Sequence, residues 1–135
     1  MAKLVNVEGI GKKYAKTIEA KTGIKTTGKY LEAGKTKKGR KELEKKTGIS
    51  GKLILKWINR VDLLRVKGVG EEYADLLEFS GVDSVPELKQ RNAENLHAKM
   101  LEVNAKRNLV RRPPGIGSIK KWIAEAKKLP RVVTY

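Results

Sequence analysis

Apolar residues in three stretches of the chain recur with the 3.6-residue period of an amphipathic helix. The three patterns are Leu53, Ile54, Trp57, Ile58 and Val61; Ile119, Trp122, Ile123 and Ala126; and Leu96, Met100 and Leu101. No stretch alternates between apolar and polar residues with hairpin-turn signals at its ends, as a strand pair would. The pattern predicts an all-α fold made of many short helices.

Helix-end signals support this prediction. The segment Ser84-Val85-Pro86-Glu87 is a capping box with proline in the first turn. Ser50, Asn92 and Ser118 are predicted N-caps, because their side chains can accept a hydrogen bond from a first-turn amide. Gly81 is a predicted C-terminal glycine.

The chain contains an internal repeat. The segment Val7–Ala15 matches Val66–Ala74 at a spacing of 59 residues. In addition, Ile49-Ser50-Gly51 leads to Trp57-Ile58, as Ile116-Gly117-Ser118 leads to Trp122-Ile123. Each repeat therefore contains two turn-then-helix units. We expect two domains, residues 1–61 and residues 62–135, the second ending in a short C-terminal tail.

The charge of the chain is high and uneven. Lys and Arg number 31 against 15 Asp and Glu, a net charge of +16. Residues 1–61 have a net charge of +12, residues 62–94 of −4, and residues 95–135 of +8. Such a surface attracts polyanions, so the composition favours nucleic acid as the partner.

Several functional classes are excluded by composition. The chain has no cysteine and one histidine, His97, so disulfides, thiolate metal sites and multi-histidine metal sites are ruled out. Apolar runs are far shorter than the roughly 20 residues of a membrane span, and no hydrophobic signal region begins the sequence. We expect a soluble, cytoplasmic protein that is not an enzyme and has no catalytic residues.

The turn Gly-Ile/Val-Gly, followed by a helix with Tyr and Ala at its third and fourth positions, recurs in both repeats. Glycines allow positive φ and a close approach of the backbone to a partner. The helix that follows presents unpaired N–H groups and the positive end of its dipole. Those amides can bind a phosphate oxygen.

This pattern resembles the helix-hairpin-helix motif, hydrophobic-x-x-Gly-hydrophobic-Gly-x-x-x-Ala. The resemblance is close at Gly9-Ile10-Gly11…Ala15 and Gly68-Val69-Gly70…Ala74, looser at Gly115-Ile116-Gly117-Ser118, and weakest at Gly48-Ile49-Ser50-Gly51. Nearly the whole chain resembles a bacterial and archaeal family of tandem helix-hairpin-helix proteins classed as a domain of unknown function. That resemblance implies two pseudo-two-fold units of short helices, each made from a pair of motifs.

Motif members that bind DNA hold phosphates with hairpin amides and nearby lysines, without reading sequence. The resemblance implies such a role for Gly9, Ile10, Gly11, Lys12, Lys13, Lys16, Gly48, Ser50, Gly51, Lys52, Gly115, Gly117, Ser118, Lys120 and Lys121. It does not extend to Gly68 and Gly70, because Glu71 and Glu72 would repel a phosphate there. Hairpin carbonyls in related motifs also hold a monovalent cation, so potassium or sodium is a candidate ligand. No other cofactor is expected.

The predicted partner is nucleic acid, with duplex DNA favoured over RNA, which would make the protein nucleoid-associated. The alternative is a non-catalytic scaffold that binds another protein. No membrane or small-molecule substrate is expected. A monomer is expected, because two units in one chain supply the pairing that single motifs need.

Two further features have a structural interpretation. The helical spacing of Trp57 and Trp122 with isoleucines predicts core packing rather than base stacking. The basic run Lys35–Lys41 is either a set of added phosphate contacts or a flexible exposed turn.

Overall fold

The computed structural model describes residues 3–7 and 9–135. Within these residues, eight α-helices follow a short 3-10 turn at Leu4–Asn6. They are α1 (Gly11–Thr22), α2 (Thr27–Gly34), α3 (Lys37–Thr47), α4 (Gly51–Leu63), α5 (Glu71–Phe79), α6 (Val85–Gln90), α7 (Ala93–Arg107) and α8 (Ile116–Lys128). The described residues contain no strand, and the one bridge pairs Lys3 with Thr26. The all-α prediction is confirmed.

The chain divides into two compact units. Unit 1 comprises Met1–Asp62 and Arg131–Tyr135, and unit 2 comprises Leu63–Pro130. Each unit has its own apolar core. The core of unit 1 consists of Leu4, Val7, Ile10, Ile18, Tyr30, Leu43, Ile49, Ile54, Trp57, Ile58, Val61 and Val133.

The placement of the C-terminal segment differs from the expectation that it belongs with the second domain. The side chain of Val133 is buried in the core of unit 1. The N–H of Thr134 donates to the Lys35 carbonyl at 2.8 Å, and Arg40 Nη2 donates to the Thr134 carbonyl at 2.7 Å. Contacts between residues about a hundred positions apart therefore hold this segment to α2 and α3.

The core of unit 2 includes one face of α7 and one face of α8, together with residues of α5 and α6. Ile119, Trp122, Ile123 and Ala126 of α8 are all buried, as their spacing predicts. Helix α7 is also present, but its buried face differs in part from the expected one: Leu96 and Met100 are buried, whereas Leu101 is 43% exposed. Val103 and Asn104 complete the buried face of α7 instead.

Most of the predicted helix ends are confirmed. Ser84 caps α6 and Asn92 caps α7, each accepting a backbone N–H bond. Ser50 Oγ accepts from the Leu53 N–H at 3.2 Å. Gly81 has φ +94° after the end of α5. The prediction for Ser118 is wrong, because α8 begins at Ile116 with Gly115 as its N-cap. Ser118 thus lies inside the first turn.

Candidate nucleic-acid interface

The α1 hairpin, residues 7–11, is a tight turn with two glycines in the left-handed region. Gly9 has φ +91° and Gly11 has φ +64°. The Ile10 N–H donates to the Val7 carbonyl at 3.1 Å, and the Ile10 side chain is buried. Ile10 therefore fixes the turn to the core, and its own amide is not available to a ligand. Glu8 lies outside the described residues.

The aromatic pair of Trp57 and Tyr14 lies next to this turn. A Cβ on Gly9 would lie 3.4 Å from Trp57 Nε1. The Trp57 ring in turn packs against Tyr14, with centroids 4.9 Å apart. Trp57 is buried, which confirms the predicted packing role. Its indole holds the hairpin backbone at the surface of the unit.

Three amides at the start of α1 have no intrahelical acceptor, those of Gly11, Lys12 and Lys13. The helix has no side-chain cap and no acidic residue in its first turn. Lys12, Lys13 and Lys16 are exposed. The amides, the positive end of the helix dipole and the three ammonium groups are therefore available to an anion at one end of α1.

The α5 hairpin, residues 66–70, repeats the turn at its first glycine, but Gly70 has φ −92°, unlike Gly11, and the charge that follows is opposite. Gly68 has φ +92°, and the Val69 N–H donates to the Val66 carbonyl at 3.0 Å. Trp122 and Tyr73 occupy the positions of the aromatic pair, with centroids 5.2 Å apart. Here Glu71 and Glu72 occupy the first helical turn. Two carboxylates at this helix end disfavour an approaching phosphate.

The segment before α8 differs from the predicted glycine hairpin. Helix α8 begins six residues before Trp122, just as α4 begins six residues before Trp57. Gly115 therefore matches Ser50, and the buried Pro114 matches the buried Ile49. Gly115 has φ −73°, and a Cβ on Gly115 or Gly117 would meet no atom within 4 Å. Neither glycine is required by the backbone or by packing.

The start of α8 is also basic and uncapped. No side chain caps the helix, and no acidic residue lies in its first turn. Ser118, Lys120 and Lys121 are exposed. Lys120 forms a solvent-exposed ion pair with Glu94, at 3.8 Å. A pair of this kind contributes little to stability, so Lys120 can exchange Glu94 for another anion at little cost.

Two arginines at this end of α8 were not among the binding residues predicted from the sequence. Arg111 and Arg112 are exposed in the loop that leads to Pro114. The buried side chain of Asn104 fixes this loop through two bonds to the Val110 backbone, of 3.0 and 3.1 Å. The dipeptide Arg111-Arg112 before two prolines was the signal that could have identified them.

The start of α4 is occupied by groups of the protein itself. Glu44 Oε2 accepts from the Gly51 N–H at 2.6 Å, and Ser50 Oγ accepts from the Leu53 N–H. Gly48 is the left-handed C-cap of α3, with φ +73°. Lys52 is exposed. Two of the predicted binding groups in this segment, the Gly51 amide and the Ser50 hydroxyl, thus already form hydrogen bonds within the protein.

The basic run Lys35–Lys41 is largely helical, and not the exposed turn that was one of its two interpretations. Lys37–Lys41 form the first turn of α3, with Thr36 as N-cap. Arg40 is buried and donates to the Gly34 carbonyl at 2.9 Å as well as to Thr134. Arg40 is therefore a structural residue, whereas Lys37, Lys38 and Lys41 are exposed.

The sequence profile of a family described as Domain of unknown function (DUF4332) matches residues 1–129. The chain belongs to this family. Comparisons with curated proteins and with solved structures found no match. The family description states no activity.

The charge of this family member is concentrated in unit 1. Unit 1 contains 18 Lys and Arg against 6 Asp and Glu, a net charge of +12, and unit 2 contains 13 against 9, a net charge of +4. Among the described residues, no helix is long and apolar enough to cross a membrane. The same residues contain no cluster of three or more potential metal ligands.

Proposed function

We propose that the protein binds nucleic acid, duplex DNA in particular, without sequence specificity. The two contact regions are the start of α1, with Lys12, Lys13 and Lys16, and the start of α8, with Lys120 and Lys121. In each region, backbone amides bind a phosphate oxygen and the lysines add charge. The chain would thus be a tandem helix-hairpin-helix protein in which two of the four hairpins contact phosphate.

The main support is the distribution of helix caps. The side chains of Thr26, Thr36, Ser50, Ser84 and Asn92 cap five of the eight described α-helices. The other three helices, α1, α5 and α8, have glycines at their starts, and their N-cap residues form no side-chain hydrogen bond. Only α5 of these three has acidic residues in its first turn. The uncapped, non-acidic helix starts are therefore those of α1 and α8.

The glycines before α8 support the proposal independently. A side chain at Gly115 or Gly117 would meet open space and would need no strained backbone. A side chain there would, however, keep a ligand away from the first-turn amides. Neither backbone strain nor packing requires these glycines, so the access that they give to the amides supports the proposal.

Binding of this kind is electrostatic and does not depend on base sequence. On duplex DNA, log K falls with log salt at a slope of about −0.9 per neutralised phosphate. With about 4–6 contacts, the slope becomes roughly −4 to −5. The expected affinity is therefore high at low salt and similar for unrelated sequences.

The test is fluorescence anisotropy of a labelled random-sequence duplex, titrated with the protein at several salt concentrations. We expect the variant K12E/K13E to bind at least about tenfold more weakly than the wild type, with a smaller salt slope. The matched control is K21E/K29E, which makes the same charge change on exposed residues of unit 1. Lys21 lies ten residues beyond Gly11, about 15 Å along α1, which exceeds a Debye length in physiological salt.

The outcomes separate the candidate functions. A larger loss in K12E/K13E than in K21E/K29E supports contact at the α1 hairpin. Equal losses would indicate that diffuse charge binds DNA and would contradict the assignment to the hairpin. Absence of binding even at low salt would favour the alternative, a scaffold that binds another protein.

A further inference from the structure

The charges around the two Gly-x-Gly turns are reversed at three matching positions. The first turn has Glu8 before its glycines and Lys12 and Lys13 after them. The second has Lys67 before its glycines and Glu71 and Glu72 after them. In unit 2, the basic residue therefore lies before the glycines, whereas in unit 1 the basic residues lie after them, at the start of the helix.

Lys67 lies at the edge of an open groove in unit 2. This α8 groove has a volume of about 530 Å³ and is bounded by the α5 hairpin on one side and by α8 on the other. Lys67, Lys121 and Lys128 are exposed along its edges. Glu125 also lines the groove, and the four side chains together contribute a net charge of +2. The groove is therefore complementary to an anion.

The groove also contains an aromatic surface. Tyr73 and Trp122 line it, with ring centroids 5.2 Å apart and an angle of 50° between the rings. Trp122 is buried, whereas Tyr73 is half-buried, so the Tyr73 ring is accessible from the groove. A base can stack on such a ring whatever its identity, because every base has a π-face.

We propose that the α8 groove binds a single unpaired nucleotide of a nucleic-acid strand, with its base on Tyr73 and its phosphate near Lys67 and Lys128. The proposal rests on the proposed nucleic-acid function and adds to the duplex contacts a second site, which takes an unpaired nucleotide. The volume lies in the range of small-ligand sites, about 300–1,000 Å³. It therefore suits one nucleotide rather than a duplex.

The test compares a labelled short oligothymidylate with a blunt duplex, using the wild type and the variant K67E/K128E. Both lysines lie outside the residues assigned to duplex contact. The matched control is K89E/K106E, which makes the same charge change at exposed positions of unit 2 outside the groove. We expect K67E/K128E to weaken oligothymidylate binding about tenfold more than the control does. We expect the duplex affinities of the two variants to be alike.

A second measurement does not depend on duplex binding. Thymidine 5′-monophosphate is titrated into the protein while tryptophan fluorescence is recorded, with inorganic phosphate as the reference. We expect saturable quenching by the nucleotide, lost in K67E/K128E and retained in K89E/K106E. Equal quenching in both variants, or none in the wild type, would overturn the groove assignment. Loss of duplex binding in K12E/K13E would still support the proposed function in that case.

Discussion

The carboxylate of Glu44 accepts a hydrogen bond of 2.6 Å from the backbone N–H of Gly51, the first residue of α4. A carboxylate at this position neutralises the positive end of the helix dipole and occupies an amide that would otherwise face solvent. At the starts of α1 and α8, by contrast, the N-cap residue forms no side-chain hydrogen bond and the first turn contains no acidic residue.

We expect Glu44→Ala to increase duplex affinity, because it frees the Gly51 amide and removes one negative charge beside Lys52. The salt slope should become steeper by about one unit if one further phosphate is bound. Glu42→Ala is the matched control, since Glu42 is an exposed residue of the same helix. Equal gains in the two variants, measured by anisotropy, would mean that only net charge matters.

We expect Glu72→Lys to strengthen duplex binding by unit 2. Glu72 is exposed in the first turn of α5, where a lysine matches Lys13 of the α1 hairpin. Replacing a repulsive charge with an attractive one near a phosphate should raise the affinity roughly threefold to tenfold at low salt. Glu87→Lys on α6 controls for net charge. If both variants bind duplex DNA equally, the α5 hairpin lies away from the DNA.

We expect Gly68→Ala to lower the stability of unit 2 by more than Gly81→Ala does. Both glycines have nearly the same positive φ, +92° and +94°, so the backbone strain should be alike. A Cβ at Gly68 would lie 3.0 Å from Trp122 Nε1, whereas one at Gly81 would meet the flexible end of Arg91. We expect a difference of about 1 kcal/mol in the free energy of unfolding. Equal denaturant midpoints and slopes for the two variants would show that the Trp122 indole can shift without cost and would contradict the prediction.

We expect Val133→Ala to destabilise unit 1. Its side chain is 2% exposed, and loss of two buried methyl groups costs about 1.5–2.5 kcal/mol. Val132→Ala is the control, because Val132 is only half-buried. Hydrogen exchange should show faster opening in unit 1 for the first variant. Faster exchange confined to unit 2 would contradict the assignment of the C-terminal segment to unit 1.

Alkaline pH should destabilise unit 1 through Tyr30. Burial raises the pKa of Tyr30 above its ordinary value of 10.0, and its hydroxyl donates to the Ile54 carbonyl at 3.1 Å. Below the pKa of Tyr30 in the unfolded state, both the folded and the unfolded protein hold the proton, so Tyr30 causes no change in stability with pH. Above it the unfolded state loses the proton first, so stability falls as pH rises. Urea unfolding from about pH 8 to about pH 11 should show a smaller decrease for Tyr30→Phe than for the wild type. Equal decreases in the free energy of unfolding for the two proteins would contradict the assignment of this pH dependence to Tyr30.

The sequence alone determined the features that depend on neighbouring residues. The buried faces of α4 and α8 follow from the 3.6-residue period, because a helix places such residues on one side. The positive φ of Gly9 and Gly68 could also be expected from the matching turns of the internal repeat, whereas the second glycines differ, with a positive φ at Gly11 and φ −92° at Gly70. Local propensity and periodicity suffice for these features.

Only the tertiary structure decided which helix starts are open and where the C-terminal segment lies. Glu44 reaches Gly51 across the turn between α3 and α4, and Val133 enters a core built from residues about a hundred positions earlier. The N-cap of α8 is Gly115 and not Ser118, and it follows a loop that the buried Asn104 holds through the Val110 backbone. These contacts depend on distances through space, which the local pattern of a sequence does not record.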